Sequence, residues 1–207
     1  MEVLELDPAA RIPPSTSDER FRRSRNVDDG YRGAMTAAPW IAAGLVPAPL
    51  QTAMFVLEPL GPEHNEADHR AWTQSIDHIR ATPGFAAQDW GSDDWPVPMS
   101  SEQNLRDLVM HRREFDGGEA FAYSVLDGDV HEIVGCVYVD PDSTGAADAM
   151  VRCWVTAERA SLDHELADAV RRWIIDAWPI ASVRFPGRSV PSEQRRSVEI
   201  PRVAQDS

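Results

Sequence analysis

Hydrophobic and polar residues follow each other along this chain in patterns that predict one domain of strands and helices. Short apolar runs bounded by Gly, Pro or Asp are typical of strands, and apolar residues at a 3.6-residue spacing are typical of helices. The runs predicted as strands are 53–58, 120–126, 132–139, 148–156 and 181–186. The stretches predicted as helices are 63–81, 101–115 and 162–177. The predicted order is therefore strand, two helices, three strands, helix, strand.

Local signals mark where the helices begin and end. Pro62 suits the first position of the first helix, and Pro83-Gly84 ends it. Ser100 with Gln103 forms a capping box at the start of the second helix. The apolar stripe of that helix is predicted from Leu105, Leu108, Val109 and Phe115. The third helix has the strongest amphipathic pattern in the chain.

Short connections join the three central strands. Asp127-Gly128-Asp129 separates the first two, and an Asp- and Pro-rich turn at 140–145 separates the next two. Such short links favour an antiparallel meander. We therefore expect an α/β (α+β) fold with a mixed, mostly antiparallel central sheet flanked by helices.

Both ends of the chain differ in composition from this domain. Residues 1–34 are charged and proline-containing without hydrophobic periodicity, and are interpreted as a disordered extension. Residues 35–52 are interpreted as a linker or partly ordered segment, 53–188 as the domain, and 189–207 as a tail. Prolines and acidic residues interrupt the apolar stretch 34–50, which argues against a secretion signal. No apolar run is long enough to predict a membrane span.

The net charge of the chain indicates which classes of partner it can bind. The formal net charge is -14 over 207 residues, which disfavours nucleic acid and suits a cationic small molecule. Cys136 and Cys153 fall in predicted strands and are expected to be reduced and buried, consistent with a cytoplasmic protein. The histidines have no metal-ligand spacing, so we expect no metal.

Two parts of the sequence carry a family resemblance. They are FVLEPLGPEHNEAD at 55–68 and the block from IVGCVYVDPD through AMVRCWVTAERASLDHELADAVRRWI, between 133 and 174. Together with the order of elements they resemble the GNAT (GCN5-related) N-acetyltransferases over about 53–188. The chain is shorter than that family at its C-terminal end, where a fourth helix and two more strands would follow.

The resemblance implies acetyl-CoA as co-substrate, bound where the fourth and fifth strands part. It implies that the pantetheine arm pairs with the backbone of Cys153, Trp154 and Val155. It also implies that the pyrophosphate lies on the start of the next helix, whose free amides and dipole favour an anion. The residues implied there are Ala160, Ser161, Leu162, Asp163 and His164. This stretch lacks the glycines of the family's loop, and Asp163 and Glu165 add carboxylates that compete with an anion.

Acyl transfer to an amine requires a base and an acid for the departing thiolate. Asp148, at the start of the fourth strand, is the first candidate base. The further candidates are Glu132, His131, Asp140 and Glu158. Tyr138 is the first candidate acid, with Tyr123, a serine, water or an unassisted departure of the thiolate as alternatives. Each tyrosine could instead serve only in packing.

The loop between the first two helices is the candidate acceptor site. Trp90, Asp93, Asp94 and Trp95 combine indoles with carboxylates, which suits a cationic amine. Arg152 could hold a substrate carboxylate. These residues could equally form an anchored surface loop and a solvated strand face. The sequence thus favours an N-acyltransferase acting on a small-molecule amine, with a non-catalytic GNAT-like binding module as the alternative. A homodimer through an exposed sheet edge is also expected.

Overall fold

A computed structural model describes residues 39–86, 95–130 and 132–188. Its centre is a five-stranded sheet in the order β1-β2-β3-β4-β5. The strands are β1 (Phe55–Pro59), β2 (Phe121–Asp127), β3 (Ile133–Pro141), β4 (Ala149–Val155) and β5 (Val183–Arg184). The first four strands are antiparallel, and β5 runs parallel to β4. The predicted mixed, mostly antiparallel sheet is therefore confirmed.

Helices cover both faces of this sheet. They are α1 (Asn65–Thr73), α2 (Ile76–Ala81), α3 (Ser101–Gly117) and α4 (Asp163–Ala177). Leu166, Val170 and Ile174 of α4 are fully buried against one face, hereafter the α4 face. Trp72 of α1, Ile79 of α2 and Leu108 of α3 are buried against the other, hereafter the α1 face. Two apolar cores thus enclose the sheet.

The single helix predicted for 63–81 is wrong, because the chain forms two helices there. A 3₁₀ turn at Pro62–His64 precedes α1, and Gln74 and Ser75 separate α1 from α2. The backbone of Ser75 is non-helical, and its hydroxyl accepts a hydrogen bond from the Ala157 N–H at 3.1 Å. This hydrogen bond ties Ser75 to Ala157, the second residue after β4, and it accounts for the break between α1 and α2.

The α3 helix confirms one prediction and corrects another. Ser100 and Gln103 form the predicted capping box. The apolar stripe is different from the predicted one, since Leu105 and Val109 are exposed. Asn104, Leu108 and Glu114 are the buried side chains of this helix. Asn104 takes an inward position because partners from α1 satisfy its side chain, as described below.

The segment before β1 packs on the α4 face. Ile41 is buried, and its N–H donates to the Gly118 carbonyl at 3.1 Å. The Trp173 indole N–H donates to the Ala48 carbonyl at 3.2 Å. Residues 39–52 therefore contribute to the domain core. Residues 1–38 and 189–207 lie outside the described residues. Within the described ranges no helix is long and apolar enough to cross a bilayer.

Gly135 is required by the close approach of two strands. A Cβ built at this position would lie 2.1 Å from the Trp154 carbonyl oxygen of β4. We expect Gly135→Ala to destabilise the fold by about 2–3 kcal/mol, because the added methyl group must push β4 away. Gly44→Ala is the matched control, since a Cβ there meets no atom within 4 Å. Urea denaturation of both variants tests this prediction, and equal midpoints would contradict it.

Candidate functional site

The site predicted from the resemblance lies where β4 and β5 part. The two strands pair only at Ala149 with Val183 and at Met150 with Arg184. The Asp148 carboxylate accepts hydrogen bonds from the Ser182 N–H and hydroxyl at 2.9 and 3.0 Å. At the same end, Arg184 donates two hydrogen bonds to Asp142 at 2.9 and 3.0 Å. One end of the strand pair is thus fastened, and pairing stops beyond it.

In the far half of β4 the backbone groups that point away from β3 have no partner strand, although Cys153 and Val155 are fully buried. The Cys153 carbonyl accepts a hydrogen bond from Arg188 at 3.3 Å, so it points away from β3. Because backbone groups alternate along a strand, those of Val155 also point outward and those of Trp154 point toward β3. Of the three β4 residues predicted to pair with pantetheine, Cys153 and Val155 therefore have the suitable orientation. Burial raises the pKa of the Cys153 thiol to about 11, so this thiol stays protonated at neutral pH.

The passage from β4 into α4 is a 3₁₀ segment at Ala157–Leu162. The N–H groups of Arg159 and Asp163 donate to the carbonyls of Thr156 and Ala160. The Asp163 amide, which was predicted to receive an anion, is thus used within the chain. No side chain caps the start of α4. Ala160, Ser161 and His164 are exposed, whereas Leu162 is buried in the core.

The Asp163 carboxylate turns toward the opening between the strands. It accepts two hydrogen bonds from the Arg188 guanidinium, at 2.7 and 2.9 Å. Burial lowers the pKa of Arg188, but the hydrogen bonds and charge of Asp163 outweigh it and raise this pKa overall. Sequence reasoning missed Arg188 because it follows the last predicted strand and has no motif around it.

A groove of about 440 Å³ lies on the other side of the α4 start. Its charged lining residues are Asp127, Asp129, Glu158, Glu165 and Arg159. Arg159 is paired with Asp127. Ser161 and Leu162, which were predicted to contact the cofactor, form part of this wall. An excess of carboxylates makes the groove unfavourable for a pyrophosphate.

Tyr138 and Arg152 face each other on the α1 face, where their strands are in register. The Arg152 guanidinium donates to Asp140 at 3.0 Å and lies 5.9 Å from the Tyr138 ring centroid. The Trp154 indole N–H donates to the Tyr138 hydroxyl at 3.5 Å. Burial raises the pKa of Tyr138 well above its ordinary value, and the neighbouring Cys136 and Asp68 raise this pKa further. Arg152 is only 7% exposed, so it belongs to a packed cluster and not to a solvated strand face.

Of the four loop residues predicted to bind the acceptor, Trp95 is the one that the structure describes. Its ring packs against Trp72, Phe85 and Trp154, with centroids 6.2, 5.7 and 6.3 Å away. Trp90, Asp93 and Asp94 lie outside the described residues. Trp95 therefore anchors the end of that loop beside β4.

The residues predicted as candidate bases do not lie together in one site. Asp148 lies at the fastened end of the strand pair, and Asp140 is held by Arg152. Glu158 lines the acidic groove, Glu132 is exposed, and His131 lies outside the described residues.

A buried carboxylate that the sequence did not indicate lies on α1. Asp68 is 4% exposed and accepts hydrogen bonds from the Asn104 amide at 3.0 Å and the Cys136 thiol at 3.5 Å. Asn104 in turn accepts from the Trp72 indole at 2.9 Å. Burial raises the pKas of both Asp68 and Cys136. Both cysteines are free and buried, as predicted.

Comparisons with known proteins give structural matches only. No protein-family model and no curated protein matches this chain. It is similar to a ribosomal-protein-S5-alanine acetyltransferase from Vibrio fischeri, with 12% identity, TM-score 0.46, and coverage of 63% of this chain and 69% of that one. It is also similar to a nucleotide-linked sugar GNAT, with 11% identity, TM-score 0.46, and coverage of 68% and 72%.

A third similar structure is a ribosomal L7/L12 α-N-protein acetyltransferase in complex with coenzyme A. Its identity is 14% and its TM-score 0.43, with 59% of this chain and 64% of that one covered. The three proteins have different acceptors in their names. At these values the overlap of folds is partial, and the chemistry of this chain has to be argued from its own residues.

Asp68 provides a test of the buried network through pH. Because its pKa is raised in the folded state, the unfolded chain ionises first as pH rises above the ordinary value of 3.8. The wild type should therefore lose stability relative to Asp68→Asn between pH 4 and pH 7. The asparagine keeps an oxygen that can accept from Asn104. Urea denaturation of both proteins across this range measures the difference.

Asp116→Asn is the control for this series, since Asp116 is an exposed residue of the neighbouring α3. This substitution removes the same charge from a side chain that faces solvent. If the Asp68→Asn difference did not change with pH, the Asp68 carboxylate would not be costly to ionise in the fold.

Proposed function

We propose that this protein is an acetyl-CoA-dependent N-acetyltransferase that acts on the amine of a small molecule. The observation that carries the proposal is the end of β4–β5 pairing after Met150 and Arg184, which leaves the outer edge of β4 unpaired by a strand at Cys153 and Val155. An extended ligand with amide groups can add to such an edge through main-chain hydrogen bonds. The pantetheine arm of coenzyme A has this form, and the GNAT resemblance implies this position for it.

The transfer requires few groups from the protein. The amine nitrogen attacks the thioester carbonyl carbon, the carbon–sulfur bond breaks, and the amine gives up a proton while the departing thiolate takes one. Outward N–H groups on β4 can stabilise the charge that develops on the thioester oxygen. The chemistry therefore depends mainly on how the edge of β4 aligns the two reactants.

Tyr138 is our candidate for the donor of the proton that the departing thiolate takes up. Its raised pKa keeps the hydroxyl protonated at neutral pH, which a proton donor requires. It lies beside Trp154 and Arg152 on the face that also carries Trp95. Asp148, the first candidate base, is less suitable than the sequence indicated. Its carboxylate already accepts two hydrogen bonds from Ser182 at the fastened end of the β4–β5 pair.

The acceptor is proposed from charge and from the position of the acceptor loop. The net charge of -14 favours a cationic amine. Trp95 brings the end of the Trp- and Asp-rich loop against Trp154 of β4. An amine held by this loop would therefore be close to the strand that aligns the thioester. Amines of protein N-termini are the alternative acceptors, and the assay below separates the two.

The first test is calorimetric titration of the full chain with acetyl-CoA and with free coenzyme A. We expect binding in the micromolar range that does not require a divalent metal. An acetylation assay with two acceptor panels, small polyamines and aminoglycosides in one and N-terminal peptides in the other, then defines the acceptor. Absence of binding at millimolar coenzyme A would overturn the transferase and favour a non-catalytic module.

The second test concerns Tyr138. We expect Tyr138→Phe to lower kcat by about 10- to 100-fold, because the donor hydroxyl is lost, while the affinity for coenzyme A stays unchanged. Tyr123→Phe is the matched control, since Tyr123 is also buried in a neighbouring strand but lies in the core of the α4 face. An equal effect of both substitutions, or none in Tyr138→Phe, would exclude Tyr138 as the acid.

A further inference from the structure

Arg188 occupies the place where the proposed cofactor would lie. One of its terminal nitrogens donates to the Cys153 carbonyl at 3.3 Å, on the outer edge of β4. Both terminal nitrogens also donate to the Asp163 carboxylate at the start of α4. The side chain is only 9% exposed. Arg188 thus contacts both the strand edge and the helix start that the cofactor would use.

The backbone around Arg188 holds it in this position. The Arg188 N–H donates to the Phe185 carbonyl at 3.2 Å and closes a turn. Gly187 within this turn has φ +67°, and a Cβ there would lie 3.0 Å from the Gly84 nitrogen. The turn is therefore packed tightly against Pro83 and Gly84, which follow α2. This packing directs the guanidinium into the opening.

The charges on the two sides of the α4 start are different. The groove side carries carboxylates of Asp127, Asp129, Glu158 and Glu165, with Arg159 as its cationic lining residue. The strand side carries Arg188, whose planar guanidinium fits a carboxylate or a phosphate with two parallel hydrogen bonds. A phosphate group approaching α4 would therefore be repelled on the groove side and attracted on the strand side.

We infer that Arg188 is a phosphate ligand for the cofactor, and that the Asp163 carboxylate holds this position in the free protein. The inference rests on the proposed function. On binding, Arg188 exchanges Asp163 for a phosphate of coenzyme A, and the Cys153 carbonyl becomes available to an amide N–H of pantetheine. Arg188 would thus be a binding residue that replaces part of the missing glycine-rich loop.

The experiment compares two probes, coenzyme A and pantetheine, because pantetheine lacks every phosphate. Calorimetric titration uses the full chain and its variants, with thermal unfolding as a check on folding. We expect Arg188→Ala to weaken coenzyme A binding by about tenfold or more, since a charge-assisted bond is lost and Asp163 is left unneutralised. Pantetheine binding should not weaken, because pantetheine has no phosphate for Arg188 to bind and the Cys153 carbonyl is already free in this variant. A variant that merely disturbed the fold would weaken both probes.

Two further variants keep the inference testable should Arg188→Ala unfold. Asp163→Asn removes the competing carboxylate and is expected to tighten coenzyme A binding several-fold, without effect on pantetheine. Arg188→Lys keeps the charge but loses the planar fork, so its affinity should lie between those of the wild type and Arg188→Ala. Arg172→Ala, on the exposed side of α4, is the control and should leave both affinities unchanged.

The outcomes separate this inference from the proposed function. If the wild type binds coenzyme A and neither Arg188→Ala nor Asp163→Asn changes its affinity, the inference is wrong while the proposed function stands. Tighter binding by Arg188→Ala would also overturn it, because Arg188 would then only obstruct the site. If the wild type binds neither coenzyme A nor pantetheine, the proposed function itself fails.

Discussion

The parting of β4 and β5 is the constraint on which the rest of this structure depends. Two contacts fasten the strands at one end, where Ser182 binds the Asp148 carboxylate and Arg184 forms a double hydrogen bond with Asp142. Arg184 holds the pKa of Asp142 well below its ordinary value, so this contact is charged throughout the neutral range. Just beyond it, Pro186 has no N–H to continue the ladder, and the chain turns at Gly187. The opening is thus encoded by a strong contact followed at once by residues that end pairing.

Most of the elements could be predicted from the sequence because their signals are local. The capping box at Ser100, the turn after β2 and the periodicity of α4 depend on residues within a few positions of one another, and the structure has all three. The break between α1 and α2 could not be predicted in this way. It depends on a hydrogen bond between Ser75 and Ala157, which are 82 positions apart. Strand β5 is also shorter than the strand predicted at 181–186, because Pro186 and the turn at Gly187 end its pairing with β4.

The candidate site was predictable in outline but not in its side chains. The order of elements predicts where β4 and β5 part. No local sequence pattern indicates Asp68, Asn104 or Arg188. Asp68 and Asn104 come from different helices and satisfy each other inside the core. A reading based on hydrophobicity assigns such residues to the surface. This explains why the predicted stripe of α3 contained Leu105 and Val109, which are exposed, and omitted Asn104.

The distribution of charge resolves an apparent conflict between an acidic chain and an anionic cofactor. A net charge of -14 repels phosphate at long range, but screening limits this effect to about 8–10 Å at moderate ionic strength. Binding then depends on the groups within that distance. On the strand side of α4 they include a buried guanidinium whose partner is a carboxylate, so a phosphate that replaces Asp163 keeps this guanidinium paired. A site can therefore accept phosphate in an acidic protein, provided that its own carboxylate can leave the arginine when the ligand arrives.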